Sequence, residues 1–290
     1  LSRRQFEVGK LLAQQGRHGE AIDAYRAALA LARHNAEYRL ALARELIATA
    51  RPAEAERHLL DLAGRDPVNG AVNLMLARLT LGRGRTGEAT EYYRRAIYGV
   101  WPDGENADRV EARFELVTLL LNRGATRQVQ AQLLQLGDEI ADDPQLKKRA
   151  ARLFLEAGDA QEARDLYRQV LRKQSLDAEA YAGLGACEAA LGDYSSARNS
   201  LRTALRWNPH DAGSRELLEL VEDVLALDPS ARRLTTAERL RRSRTLVERA
   251  RGELSDCLSR YRQPVPSFAS AALEGAGQFL SRPGGGQEAV

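Results

Sequence analysis

The chain has 290 residues, of which 44% are hydrophobic and only 6% are aromatic, and its formal net charge is +3. This composition is typical of helices, and it excludes an all-β protein, a collagen and a wholly disordered chain. No apolar run approaches the roughly 18 residues that are needed to cross a bilayer. The net charge is too small to indicate a nucleic-acid partner by itself.

The start of the chain and its cysteines bear on its location. The chain begins at Leu1 and its only methionine is Met75, so we expect the natural translation start to lie upstream of residue 1. We expect a cytoplasmic protein by default, and a membrane-tethered or envelope protein if an N-terminal anchor was removed, so that a membrane would be met only through a segment absent from this chain. Cys187 and Cys257 fit neither a disulfide framework nor a zinc site, and we expect both to be buried.

A repeat runs through the first 211 residues. A small residue opens every second helix at steps of 34, 34, 40, 34 and 34, namely Ala21, Ala55, Ala89, Val129, Ala163 and Ala197. A turn glycine precedes most of them, at Gly16, Gly84, Gly124, Gly158 and Gly192. An insertion at residues 101–106 explains the single step of 40. The spacing predicts six helical hairpins over residues 2–211.

These residues, together with Leu184-Gly185 and Asn208-Pro209 in the clearest copy, resemble the tetratricopeptide repeat family. The resemblance implies an all-α fold, a right-handed α-solenoid of helical hairpins with C-terminal capping helices. It also implies a role in binding other proteins. Members that hold acidic chaperone tails use asparagines and lysines at positions that match Ala13, Ala41, Ala48 and Ala71 here, so we do not expect such a tail as the partner.

Three segments are predicted in chain order. Residues 1–228 form the repeat solenoid, closed by a capping helix at about 212–227. Residues 229–262 form a basic amphipathic helix, and residues 263–290 a disordered tail.

The basic helix has two features. Ten arginines and four acidic residues between residues 231 and 262 leave it a net charge of +6. An apolar stripe on the same helix offers a surface for oligomerisation, and its main residues are Leu240, Val247, Leu254 and Leu258.

The first helices of the repeats carry two columns of residues at equivalent positions. One column is mostly basic and contains Lys10, Arg44, Arg78 and Arg152, whereas the other contains Phe6, Leu40, Leu74, Phe114 and Lys148. At about 100° per residue, both columns point away from the partner helix and toward the concave face. They predict a groove with a cationic line and apolar side pockets, suited to an acidic peptide or partner domain. A solvated helical surface would give similar charges.

No motif indicates catalysis, a metal or a cofactor. The sequence Gly82-Arg83-Gly84-Arg85-Thr86-Gly87 has dinucleotide-binding spacing, but it falls between two helices instead of between a strand and a helix. The four histidines have no second ligand at a suitable spacing. The acidic residues before Pro144 are best explained as helix caps.

We therefore expect a non-enzymatic scaffold that binds a peptide or partner domain in the groove. Two alternatives stay open. The basic C-terminal helix would bind nucleic acid or an anionic membrane in the first, although we do not expect a nucleic-acid partner. In the second, the chain is the regulatory part of a larger enzyme.

Overall fold

A computed structural model describes residues 1–101, 106–140, 142–231, 233–260 and 266–281. These residues form fifteen α-helices and no strand, which confirms the all-α prediction for the described part of the chain. The chain divides into two compact units, Leu1–Asp159 and Ala160–Val290. The division falls inside the predicted repeats.

In the first unit, each helix packs against the next one along the chain. The helices are α1 Ser2–Gln14, α2 His18–Leu31, α3 Ala36–Ala48, α4 Pro52–Arg65, α5 Gly70–Gly82, α6 Thr86–Ile97, α7 Asn106–Asn122, α8 Thr126–Glu139 and α9 Pro144–Glu156. Consecutive first helices also touch, since α5 contacts α7 and α7 contacts α9. The unit is therefore a series of stacked hairpins.

The second unit continues the pattern and then departs from it. Its helices are α10 Ala160–Lys173, α11 Ala178–Ala190, α12 Tyr194–Trp207, α13 Ala212–Leu227, α14 Thr236–Arg260 and α15 Ser267–Ser281. The capping helix α13 packs on α12 and α11, as the sequence predicts. The basic helix α14 contacts α13 and pairs with α15.

The small residues that set the register are all fully buried. Ala21, Ala55, Ala89, Val129, Ala163 and Ala197 all have 0% exposure. A larger side chain at any of these positions would have no free space and would strain the packing around it. The register predicted from the sequence is therefore confirmed.

First helices begin at a shared cap that we did not predict as a series. The side chain at the N-cap accepts a backbone N–H from the first turn of α3, α5, α9, α11 and α13, and the residues are Asn35, Asn69, Asp143, Asp177 and Asp211. Asp143 is the cap expected before Pro144; its carboxylate accepts from Gln145 N at 2.7 Å. Each such cap contributes on the order of 1 kcal/mol.

The turn between the two helices of a hairpin takes a left-handed backbone. Gly16, Gly84, Gly124, Gly158 and Gly192 have φ between 66° and 86°, as their predicted role requires. Repeat two has no glycine there, and Ala50 adopts φ 54° at the equivalent position. A side chain makes this conformation costly, by about 1–2 kcal/mol.

Substitutions at Ala50 and at Gly192, which both occupy the left-handed turn position, should change stability in opposite directions. We expect Ala50→Gly to raise the free energy of unfolding by up to about 1 kcal/mol, because the left-handed strain is relieved while some chain entropy is added. Gly192→Val should lower it by about 1–3 kcal/mol. Urea unfolding followed by circular dichroism measures both changes, and a loss of stability in Ala50→Gly would refute this explanation.

The C-terminal region differs from the prediction in two respects. Residues 267–281, placed in a disordered tail, form α15, and its residue Ala269 is 2% exposed. The short alanine-rich segment gains its helix by packing on α14, which the sequence pattern did not reveal. Cys257 is exposed, whereas Cys187 is buried as expected. Residues 261–265 and 282–290 lie outside the described part.

The two thiols should therefore react at different rates. Burial raises the pKa of the Cys187 thiol to about 12, so it carries almost no thiolate at neutral pH. We expect one equivalent of a thiol reagent to react quickly with the native chain at Cys257, and the second only after denaturation. A Cys257→Ser variant is the control, since its native form should not react. Rapid reaction of two equivalents with the native protein would contradict the burial of Cys187.

Candidate functional site

Three neighbouring clefts lie along the first helices of the first unit. The first, of about 320 Å³, lies between α1 and α3 and includes Lys10 and Arg44. Arg44 also lines the second, of about 560 Å³, together with Arg78 of α5. Arg78 in turn lines the third, of about 610 Å³, which is bordered by α7. We call this row of clefts the unit 1 groove.

Three residues of the predicted basic column, Lys10, Arg44 and Arg78, line the clefts of this groove. Lys10 and Arg78 each expose 48% of the side chain, and Arg44 is exposed as well. The Nζ atom of Lys10 lies 3.5 Å from Oε2 of Glu7, which is one turn earlier in α1. Arg44 forms no ion pair with any residue that the structure describes. The groove therefore presents at least one exposed cation that forms no ion pair with a described residue.

Arg78 is bound more firmly than the other members of the column. Its guanidinium donates to both carboxylate oxygens of Glu115 on α7, with Nη2 at 2.7 Å from Oε1. The hydroxyl of Tyr93 donates to the same carboxylate at 2.8 Å. The hydrogen bond with Glu115 raises the pKa of Arg78, and burial together with this carboxylate raises the pKa of Tyr93. Arg78 thus also joins consecutive repeats.

The apolar column does not form the open side pockets that we expected. Phe6, Leu74 and Phe114 have exposures of 4%, 3% and 0%, while Leu40 is half-buried. The Phe6 ring stacks on Tyr38 of α3 at a centroid distance of 4.5 Å. The helical wheel placed Phe6 away from its own partner helix, but its ring lies 5.6 Å from the ring of Tyr25 on α2, and the first helix of the next repeat also covers it. The column forms the floor of the groove.

Repeat five differs from the prediction in the same way. Lys148 is 5% exposed and so does not line an open surface, whereas Arg152 is exposed. The neighbouring Arg149 places its guanidinium over the Phe114 ring at 4.1 Å and donates to Glu111 at 2.8 Å. This hydrogen bond lowers the pKa of Glu111. Arg149 therefore covers Phe114 and lines the third cleft, a role that the sequence did not indicate.

The second cleft has a wall that the repeat pattern does not predict. Trp101, the residue that follows the last turn of the third hairpin, lines it with Ile47, Leu74 and Met75. Its indole Nε1–H donates to the carbonyl of Ala96 at 2.7 Å. The only signal in the sequence is a tryptophan at the start of the insertion at 101–106. Residues 102–105 lie outside the described part of the chain.

Arginines of the basic helix α14 are engaged within the second unit. Arg242 Nη1 donates to the carbonyl of Asp228 at 3.1 Å, just after α13, and its Nε donates to Glu238 at 3.0 Å. Arg244 donates to the carbonyl of Leu280 in the last turn of α15. Arg241 also binds Glu238, at 2.7 Å. Arg242 and Arg244 thus bind carbonyls at helix C-termini, which attract positive charge.

The structure was also searched for a metal site and for a membrane-spanning helix. Over the described ranges, no three His, Cys, Asp or Glu side chains lie close enough together to hold a metal ion. No helix in the same ranges has both the length and the apolar character of a membrane span.

Comparison with known proteins identifies the repeat. The sequence profile described as tetratricopeptide repeat matches residues 12–79 and 154–221, and the second match runs past the predicted hairpins into the capping helix α13. Among curated protein sequences, no match was found.

Solved structures share the fold at low identity. YrrB, described as a tetratricopeptide repeat protein with an unusual peptide-binding site, is 14% identical, with a TM-score of 0.57 over 68% of this chain and 99% of its own. The C-terminal part of a repeat protein from Cytophaga hutchinsonii is 14% identical, with a TM-score of 0.60 over 92% and 99%. PilF from Pseudomonas aeruginosa is 17% identical, with a TM-score of 0.54 over 76% and 97%.

These matches confirm the predicted all-α solenoid class, because the solved structures share the fold and the profile follows the register marked by the buried alanines. The chain therefore contains tetratricopeptide repeats at residues 12–79 and 154–221, and it shares the fold of solved repeat proteins.

Proposed function

We propose that this chain is a protein-interaction scaffold without catalytic activity, and that the unit 1 groove binds an acidic peptide or an acidic segment of a partner domain. The observation that carries the proposal is the exposed line of Lys10, Arg44 and Arg78 above a floor of buried apolar side chains. The repeat fold supports a binding role in general. The peptide-binding site named in the description of YrrB is consistent with this proposal.

Charge favours a carboxylate as the group that Arg44 binds. Its guanidinium has five N–H donors and forms no ion pair with a described residue, so it is available to form charge-assisted hydrogen bonds. Lys10 and Arg78 flank it along the groove and repel cationic ligands. An extended peptide with several acidic residues would place a carboxylate at more than one of the three clefts.

The basic helix α14 is a weaker candidate for the binding surface. Arg242 and Arg244, which its sequence offers to an anionic partner, are engaged at the C-terminal ends of α13 and α15. Arg241 is paired with Glu238. Binding nucleic acid or an anionic membrane would require these contacts to be broken or bypassed. No observation favours the regulatory part of a larger enzyme.

A peptide selection tests the proposal. A phage-displayed library of random peptides of about twelve residues is selected on the full chain at physiological salt, and in parallel on Arg44→Glu and Arg57→Glu. Arg57 is a matched control because it is an exposed arginine on the second helix α4 and lines none of the three clefts. We expect Asp- and Glu-rich peptides on the wild type and Arg57→Glu only. Equal enrichment on Arg44→Glu would refute the proposal.

A further inference from the structure

The insertion after the third hairpin supplies one wall of the second cleft. Two backbone hydrogen bonds pair Val100, the residue just before the insertion, with the chain at the start of α5. Val100 N donates to the carbonyl of Val68 at 2.7 Å, and Gly70 N donates to the carbonyl of Val100 at 2.9 Å. Trp101 follows directly and is half-buried. Its position is therefore fixed by the backbone of the third repeat.

Gly70 makes room for the indole. A Cβ placed at residue 70 would overlap the Trp101 ring, so the ring lies against the bare backbone at the start of α5. The indole Nε1–H also donates a hydrogen bond to the carbonyl of Ala96. Trp101 is thus a rigid aromatic wall, and rigid aromatic residues make favourable anchors because little entropy is lost on binding.

The chemistry of the second cleft suits one bulky apolar side chain beside one carboxylate. Trp101, Ile47 and Met75 provide an apolar lining, and the volume of about 560 Å³ lies within the range of small-ligand pockets. Arg44 lines the same cleft and supplies the cation. Asp108 also lines it, and its charge disfavours a second carboxylate at this place.

We infer that Trp101 is a specificity-determining residue: the second cleft takes a single bulky apolar side chain of the bound peptide, such as leucine or phenylalanine, next to an acidic residue that Arg44 binds. This inference rests on the proposed function, since it specifies the peptide that the groove accepts. It predicts that acidity alone is insufficient for tight binding. The peptide must also offer an apolar residue adjacent to its carboxylate.

The same peptide library tests this inference when it is selected on Trp101→Ala. Trp207→Ala is the matched control, because Trp207 is 49% exposed and lies on α12, outside the cleft. We expect peptides from the wild type and from the control to share a bulky apolar residue beside an acidic one. Peptides from Trp101→Ala should keep the acidic residue and lose the apolar preference.

Affinities of one enriched peptide and its apolar-to-alanine version then give a double-mutant cycle. Replacing the apolar residue of the peptide by alanine should weaken its binding to the wild-type chain by about tenfold, and its binding to Trp101→Ala by less than about twofold. Gly70→Ala is a second variant, since its methyl group displaces the indole while favouring the start of α5. It should give the same loss as Trp101→Ala, which guards against a variant that merely fails to fold.

The outcomes separate the two proposals. The role of Trp101 would be overturned if acidic peptides depended on Arg44 but showed no apolar preference. It would also be overturned if Trp101→Ala and Gly70→Ala selected the same apolar residue as the wild type. Either result would leave the proposed function intact. Enrichment that does not depend on Arg44 would overturn the proposed function. A third outcome is that apolar peptides are enriched without needing Arg44 but still need Trp101. The second cleft would then bind an apolar side chain without an adjacent carboxylate, and the inference as stated would be wrong.

Discussion

Replacing Arg113 by alanine should destabilise the first unit by about 3 kcal/mol, because a buried charged cluster would lose its centre. Arg113 lies on α7, and its side chain is 3% exposed. It donates to both oxygens of Glu139 at 2.9 Å and to Gln132 and Gln135 at 2.8 and 2.6 Å, all on α8. Removing it leaves the largely buried Glu139 without this partner. Urea unfolding followed by circular dichroism measures the loss.

Arg109→Ala is the matched control for this prediction. The guanidinium of Arg109 lies farther from the Glu139 carboxylate, at 4.0 Å, and its side chain is 35% exposed. We therefore expect Arg109→Ala to lower the free energy of unfolding by less than about 1 kcal/mol. If the two substitutions cost the same free energy, the cluster around Arg113 would not stabilise the contact between α7 and α8.

Charge reversal at Arg44 and at Arg78 should give different combinations of effects, although the sequence places both residues in one column. Arg44→Glu should weaken binding of an enriched acidic peptide at least about tenfold, because a like charge then faces the ligand. The variant should leave thermal unfolding unchanged, since Arg44 forms no ion pair with a described residue. Arg78→Glu should weaken binding and lower the melting temperature together, because it faces Glu115.

Fluorescence anisotropy and thermal unfolding followed by circular dichroism separate these effects. Arg57→Glu should change neither quantity appreciably. Arg26 is a poorer control, although it also lies on a second helix, because it pairs with Glu54 at 3.1 Å. Unchanged affinity in both Arg44→Glu and Arg78→Glu would place the ligand elsewhere on the molecule.

The repeat register could be predicted from the sequence because it depends on local spacing. The buried alanines, such as Ala21, and the left-handed glycines, such as Gly192, recur at fixed intervals and have one physical reason each. The N-cap series that begins with Asn35 was equally periodic and could have been found by the same search. The exposed basic column followed from the same register.

The floor and walls of the groove could not be predicted in this way, because they depend on contacts between repeats. A helical wheel considers one helix, so it could not show that Tyr38 covers Phe6. The position of Trp101 depends on the path of an insertion that follows no periodic rule and on the absence of a side chain at Gly70. The helix α15 likewise depends on its contact with α14.

The most direct test of the central claim is to locate a bound peptide on the chain. An enriched acidic peptide is synthesised with benzoylphenylalanine in place of its bulky apolar residue, irradiated with the full chain, and the cross-linked residues are identified by mass spectrometry. The proposed groove predicts cross-links to α3, α5 and the segment around Trp101, with Ile47 and Met75 as the expected residues. Cross-links confined to α14 or α15 would contradict it and assign binding to the C-terminal helices.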